Sequence, residues 1–450
     1  MSGSGAGPPD PVSGWVARGD LVYSRADVPR FTRSWGVALQ DEAGRRYLDA
    51  EASSGTSGLG FDSTILTAAA QRAAAMPVLP SFCESPLRQS VAARLAARLR
   101  DATGHQGRVA FDLGGAQGIE LALRVVRANT SRPRFAVFEG GYHGRSGLTS
   151  QLSASPRYRR GVGADLPVTR LPYPDVERAR FGEAPEAAAA TALAYVRQLA
   201  TMEVAGLAQA GREPEVAALV FEPILNAGGI VRPDPDYLRG VVEIFRSLGA
   251  LIVVDEIFCG FHRTGPAWGF QHYQAIDPDV VVVGKALTNG ITPLTCVWAR
   301  EPLLDPEHFP PGSHSATFQT TPLALAVAEE VLDRYDRWRD LEAQVARLES
   351  GLRDTIDEVV RCFAMARSGW ASGGLGRIRL DRPLAGRAVE LARRIAEHDP
   401  VGGFHGVILG GPGMAPDVIA LHPPLVIGEA ELRALRELLL RTFAALAAAT

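Results

Sequence analysis

Short runs of consecutive apolar residues alternate with amphipathic stretches along most of the chain. Six runs stand out: 108–111 (RVAF), 134–138 (RFAVF), 216–221 (VAALVF), 250–255 (ALIVVD), 279–284 (DVVVVG) and 294–299 (LTCVWA). They are rich in β-branched residues and are bounded by Gly, Pro or Asp. A strand that is apolar at nearly every position is buried on both faces, so these runs predict a mostly parallel sheet flanked by helices. Helical spacing covers 116–129, the alanine-rich 187–208, and 236–248, where Asp236 is expected to cap the helix.

The last third follows another pattern. Leu341, Val345, Leu348, Leu352, Ile356 and Val359 recur at spacings of three and four, which predicts one long amphipathic helix. Leu432, Leu435, Leu438, Leu439 and Phe443 predict another, and 376–380 and 417–422 read as short strands between them. The expected organisation is α/β. A large domain spans about 60–325, a smaller α+β domain combines 16–59 with 326–450, and residues 1–15 form a flexible lead. No internal repeat is evident.

Bulk properties narrow the function. The 450 residues suffice for two domains around a large core, and 46% hydrophobic with 22% charged is ordinary for a globular chain. A net charge of −3 and a pI near 6.3 argue against nucleic acid or an anionic membrane as partner. No apolar run approaches the roughly 20 residues of a membrane span. The first residues lack the basic and apolar regions of a signal peptide. Cys83, Cys259, Cys296 and Cys362 lack metal-ligand spacing. Reduced thiols in the cytoplasm and no metal site are expected.

The chain contains one lysine, Lys285; the other 46 basic residues are arginine. On a surface the two exchange at little cost, so a strong arginine bias removes lysine from such places. Arginine cannot substitute where a neutral amine must act as nucleophile, because its guanidinium stays protonated above about pH 12.

Asp255 ends one candidate strand, and Lys285 ends the next, thirty residues on. In a parallel sheet both project into the crevice at the carboxyl edge, where open α/β folds bind ligands. An amine and a carboxylate there suit pyridoxal phosphate: the lysine holds the aldehyde as a Schiff base, and the carboxylate keeps the pyridine nitrogen protonated. Taken alone, the pair fits a structural ion pair equally well. The stretch 111–126 reads as strand, glycine-rich turn and helix, so Gly114, Gly115 and Ala116 would let backbone N–H groups approach an anion. Tyr142, in FEGGYHGRSG (138–147), could stack on a planar ring.

These segments resemble the class III pyridoxal-phosphate aminotransferases of fold type I. VVDEIFCGFHRTG (253–265) is similar to that family's D-E-V-x-x-G-F-G-R-T-G signature, and PDVVVVGKALTNGITPLTCV (278–297) to its Schiff-base segment. FEGGYHGR, FEPILNAGGIVRPDPDYL (221–238), SATFQTTPLALAVA (315–328) and LHPPLVI (421–427) match further stretches in family order. The resemblance implies that Lys285 carries the cofactor and shuttles a proton, Asp255 meets the pyridinium nitrogen and Tyr142 stacks on the ring. Gly115 and Ala116, joined by Thr317 from a neighbouring subunit, would bind phosphate. A homodimer with shared active sites is therefore expected. Glu222 would lie near the cofactor, and Arg263 would hold its loop.

Four positions depart from the family pattern. The phosphate turn N-S-G-A/T-E is Leu113-Gly114-Gly115-Ala116-Gln117, without its hydroxyl. Phe258 takes a place often held by glutamine near the cofactor's phenolic oxygen. Thr320-Thr321-Pro322 replaces G-N-P. Ala420 stands where an arginine often precedes A-P-P-L, and His422 replaces the small residue. A guanidinium fork is the expected carboxylate clamp, which favours an amino donor and a ketone or aldehyde acceptor without a clamped α-carboxylate. A specialised secondary-metabolite or peptide-borne substrate is the expectation. A same-fold aminomutase, racemase or decarboxylating transaminase is the rival, and a catalytically degenerate cofactor-binding partner subunit is the non-enzymatic alternative.

Overall fold

The computed structural model describes residues 29–449, apart from 81, 164–165, 176–183, 202–206, 208–213, 275 and 412. Its centre is a seven-stranded sheet in the order Gly107–Asp112, Thr295–Arg300, Val280–Val283, Leu251–Asp255, Val216–Phe221, Arg134–Phe138, Val168–Leu171. Six strands share one direction, whereas Thr295–Arg300 runs antiparallel to both neighbours. The chain enters this strand from the turn after Lys285 rather than through a crossover helix, so its direction reverses.

The unbroken apolar runs follow from burial on both faces. Val280 and Val282 pack with Val253, Val297 and the helix Gly115–Thr130, while Val281 and Val283 join Val254, Trp298 and a second, larger cluster on the other face. Every residue of Val216–Phe221 and of Val280–Val283 is buried. Burying one such side chain contributes roughly 1.5–3 kcal/mol, so this sheet dominates the packing.

Two smaller sheets lie outside it. One is antiparallel, Ala366–Ser372, Leu375–Leu380 and Val418–Leu421, backed by the long helix Leu341–Cys362. The other joins Phe31–Trp35, Ala38–Asp41 and Arg46–Ala50 to Gly406–Leu409, bringing the two ends of the chain together. The strands Val168–Leu171 (VTRL) and Arg46–Ala50 (RYLDA) lack the unbroken apolar runs of the central strands.

Local details differ from expectation. The helix Pro235–Ser247 is capped by Asp234, not Asp236: the Asp234 carboxylate accepts from the N–H groups of Asp236 and Tyr237 at 2.9 and 3.0 Å. Pro235 occupies the first helical turn, where its missing N–H costs nothing. The alanine-rich helix runs Ala188–Thr201; its expected continuation through 202–206 and 208 lies outside the described residues, as does the 1–15 lead.

Candidate active site

The strands Arg134–Phe138, Val216–Phe221, Leu251–Asp255 and Val280–Val283 are parallel neighbours, so their carboxyl ends share one edge. The residues just beyond are Tyr142 and His143, Glu222, Asp255 itself, and Lys285. A cavity of about 670 Å³ opens there, also lined by Gly114, Gly115, Ala116 and Phe258. That volume suits a small-molecule site.

Lys285 follows its strand by two residues and adopts φ +43° at the start of a short 3₁₀ turn, Lys285–Thr288. A side chain on a left-handed backbone is costly and points to a functional position. Among the described residues Lys285 makes no ion pair; its Nζ lies 4.7 Å from the centroid of the Phe258 ring. The structural Asp–Lys pair is therefore absent. Burial lowers the lysine pKa, a shift opposed by the charges of Glu222 and Asp255.

Asp255 is held instead by His143. Its Oδ2 meets the imidazole Nδ1 at 2.8 Å, both side chains being almost wholly buried, and its Oδ1 accepts from the Ile257 N–H at 3.1 Å. Burial alone would lower the His143 pKa, but the hydrogen bond and charge of Asp255 carry it above its ordinary value. The other ring nitrogen, Nε2, is buried without a hydrogen-bond partner. Glu222 accepts from the N–H groups of Tyr142 (2.9 Å) and Asn226 (3.2 Å), fixing the loop that carries Tyr142 and His143. Burial raises Glu222 to about 7; His143 opposes the rise and Asp255 adds to it.

Gly114 is the N-cap of the helix Gly115–Thr130 and makes no side-chain capping bond. The first N–H groups of that helix have no partner within it and carry its positive dipole end. Two glycines here leave little room for a side chain. A Cβ on Gly115 would lie 3.2 Å from Ile257, and one on Gly144, at φ +124°, would collide with Ala116 at 2.6 Å. Residues 113–116 offer no hydroxyl, so the donors this turn can present are backbone N–H groups. Thr317 is exposed and does not line the cavity of its own chain. Thr321 caps the helix Pro322–Arg337 through the N–H of Ala324.

The opposite wall is apolar. Phe258 meets His422 edge to face, with centroids 5.6 Å apart, and belongs to a cluster with Ile224, Ile230, Cys259, Leu375 and Ala420. Burial, with the charges of Arg263 and Lys285, pushes His422 down to about 3. Arg263 donates to the carbonyls of Gly374 (3.0 Å) and Pro423 (2.6 Å), so it ties its loop to the three-stranded sheet. The approach to this wall is a left-handed turn, Ala52, Ser53, Ser54 and Gly55, with φ between +46° and +78°. Three side-chain-bearing residues in that region cost roughly 1–2 kcal/mol each.

Sequence reasoning did not single out His143 or Arg145. His143 directly follows Tyr142 and could have been found as an imidazole on the same strand-end loop as the candidate stacking residue. Arg145 lines the cavity, with its guanidinium 5.7 Å from the Tyr142 centroid and 4.4 Å from that of Tyr158. Its one mark in the sequence is that it closes the family-like FEGGYHGR segment.

A half-buried amine of lowered pKa, an imidazole-paired carboxylate, an aromatic ring and a glycine-rich helix N-terminus at one sheet edge are groups that fit pyridoxal phosphate. The fold and site define a pyridoxal-phosphate-dependent transferase of fold type I. The chain matches the family described as aminotransferase class-III over residues 22–443, and it belongs to that family. It is 30% identical over 416 residues to the diaminobutyrate–2-oxoglutarate aminotransferase of Rhizobium meliloti (strain 1021), covering 88% of this chain and 84% of that one. It is likewise 30% identical over 402 residues to the acetylornithine aminotransferase of Streptomyces coelicolor, with 88% and 86% covered. A PLP-bound amine transaminase from an uncultivated Pseudomonas species shares the fold, with a TM-score of 0.81 at 23% identity over 99% of both chains.

Proposed function

We propose that this aminotransferase moves an amino group from a primary amine or amino acid to a ketone or aldehyde in ping-pong order, with Lys285 as its catalytic amine. Its natural acceptor is a specialised biosynthetic molecule, small or peptide-borne. The observation that carries the reading is the half-buried Lys285 lining one cavity with the His143–Asp255 pair. When bound, pyridoxal phosphate supplies an aldehyde that accepts the amino group and a ring that accepts electrons.

The chain's own residues do the rest. Lys285 would hold the cofactor through its Nζ. Its Nζ, neutral at lower pH than a free lysine, takes the proton from the reacting carbon of the donor and returns it. Asp255, anchored by His143, presents a fixed carboxylate to the ring nitrogen. Tyr142 stacks on the ring, Glu222 fixes the Tyr142 loop, and Phe258 covers the lysine side. Gly114, Gly115 and Ala116 bind phosphate, completed by Thr317 of the partner subunit in a homodimer. All four cysteines are unpaired, which suits the cytoplasm.

The test is a half-reaction. Mixing purified holoenzyme with a panel of primary amines and amino acids should convert the cofactor to its amine form and release the matching carbonyl compound without carbon dioxide. Lys285→Ala should lose the covalent attachment. An enzyme that no donor converts, or that releases carbon dioxide in step with conversion, would defeat the reading.

A further inference from the structure

The apolar wall is built with more care than a filler would need. Phe258 reaches so far that a Cβ on Gly55 would lie 2.7 Å from its ring. His422 is accommodated the same way: a Cβ on Gly410 would lie 2.8 Å from the imidazole Nε2 and 3.0 Å from the Cβ of Ala420. The imidazole and the Ala420 side chain thus crowd one small volume, and His422 occupies the space into which a longer residue at 420 would extend. Glu51 is the anionic side chain on this side: its carboxylate accepts from the Ser54 N–H at 2.6 Å and acts on the charge of Lys285. Arg145, the one arginine among the described residues that line the cavity, sits two strands away against Tyr142 and Tyr158.

Resting on the aminotransferase reading, we propose that Phe258, wedged in place by His422, determines specificity: the substituent facing it must be uncharged and apolar. A carboxylate there would be desolvated against a phenyl ring, and the one cationic group described beside that ring is Lys285, 4.7 Å away, whose amine is committed to the cofactor and to the reacting proton. Any carboxylate the substrate carries must point to Arg145. The favoured substrates therefore bear at most one carboxylate around the reacting carbon, and dicarboxylic amino acids are poor.

Norvaline and glutamate form the discriminating pair, because glutamate places a second carboxylate where norvaline ends in a methyl group. With the wild-type holoenzyme, stopped-flow conversion of the cofactor should be on the order of 100-fold faster with norvaline. Ala420→Arg alone should not improve glutamate, since His422 fills the space. Ala420→Arg with His422→Ala should raise glutamate relative to norvaline by about tenfold or more. If that double variant does not hold cofactor, Phe258→Leu gives a second measurement and should relax the norvaline preference. Equal rates for the two donors in the wild type, or a gain from Ala420→Arg alone, overturn the proposal. Failure of every donor, butylamine included, would instead overturn the aminotransferase reading.

Discussion

His143 and His422 are both buried within one site, yet their charges are driven in opposite directions. His143 faces Asp255 across 2.8 Å and is held protonated beyond its usual range. His422 faces Phe258, with Arg263 and Lys285 beyond, and is kept neutral to about pH 3. The same side chain serves as a hydrogen-bonded anchor for a carboxylate, its charged form favoured, on one side of Lys285 and as a polar-edged aromatic brace on the other. What separates them is the partner: burial opposes the charge of both, and only a carboxylate at hydrogen-bond distance overcomes it.

The lysine between them gives the largest expected effect. Lys285→Ala should reduce amino transfer by at least about 10⁴-fold, because covalent attachment and proton transfer are both lost; single-turnover kinetics with a fixed donor measures this. His143→Leu should come next, lowering the rate by about 10–100-fold and destabilising the fold by roughly 3–5 kcal/mol, since Asp255 is left buried and unpaired. His143→Asn, which keeps a donor, should recover part of both in the same stopped-flow and chemical-denaturation assays.

The two histidines should also leave opposite marks on stability against pH. The folded pKa of His143 lies above its ordinary 6.5, so its contribution is full below about pH 6.5 and is lost as pH rises through the raised value. The folded pKa of His422 is depressed to about 3. Below pH 6.5 the unfolded chain therefore gains a proton that the folded chain does not, and stability falls toward pH 3 by up to a few kcal/mol. His422→Leu should flatten that acid slope, and His143→Asn should flatten the alkaline one; denaturant midpoints across pH 4–9 separate the two. The smallest effect concerns the anion cradle. Gly114→Ser supplies a hydroxyl and should tighten cofactor binding by about 0.5–1.5 kcal/mol, seen in the dissociation constant of the apoenzyme for pyridoxal phosphate.

Much of the fold was legible because its strands are buried on both faces and so are unbroken apolar runs. Asp255 and Lys285 were legible because strand ends in a parallel sheet converge, and the lysine stood out against a background of arginine. Short strands that pair only at the periphery, such as Val168–Leu171 (VTRL), carry no such run. The antiparallel Thr295–Arg300 is a buried, largely apolar run like the parallel strands, and only its short connection from Lys285 distinguishes it. The His143–Asp255 pair joins residues 112 positions apart, and the vacated volumes at Gly55 and Gly410 depend on tertiary contact. Neither leaves a local trace.

The solitary lysine has one more consequence. A lysine-specific protease has a single cleavage point in the denatured chain, after Lys285, giving fragments of 285 and 165 residues. Borohydride reduction of the holoenzyme would alkylate that one nitrogen and make the chain resistant. The proportion of uncut chain on a gel then reports, molecule by molecule, how many active sites were loaded, with no substrate required.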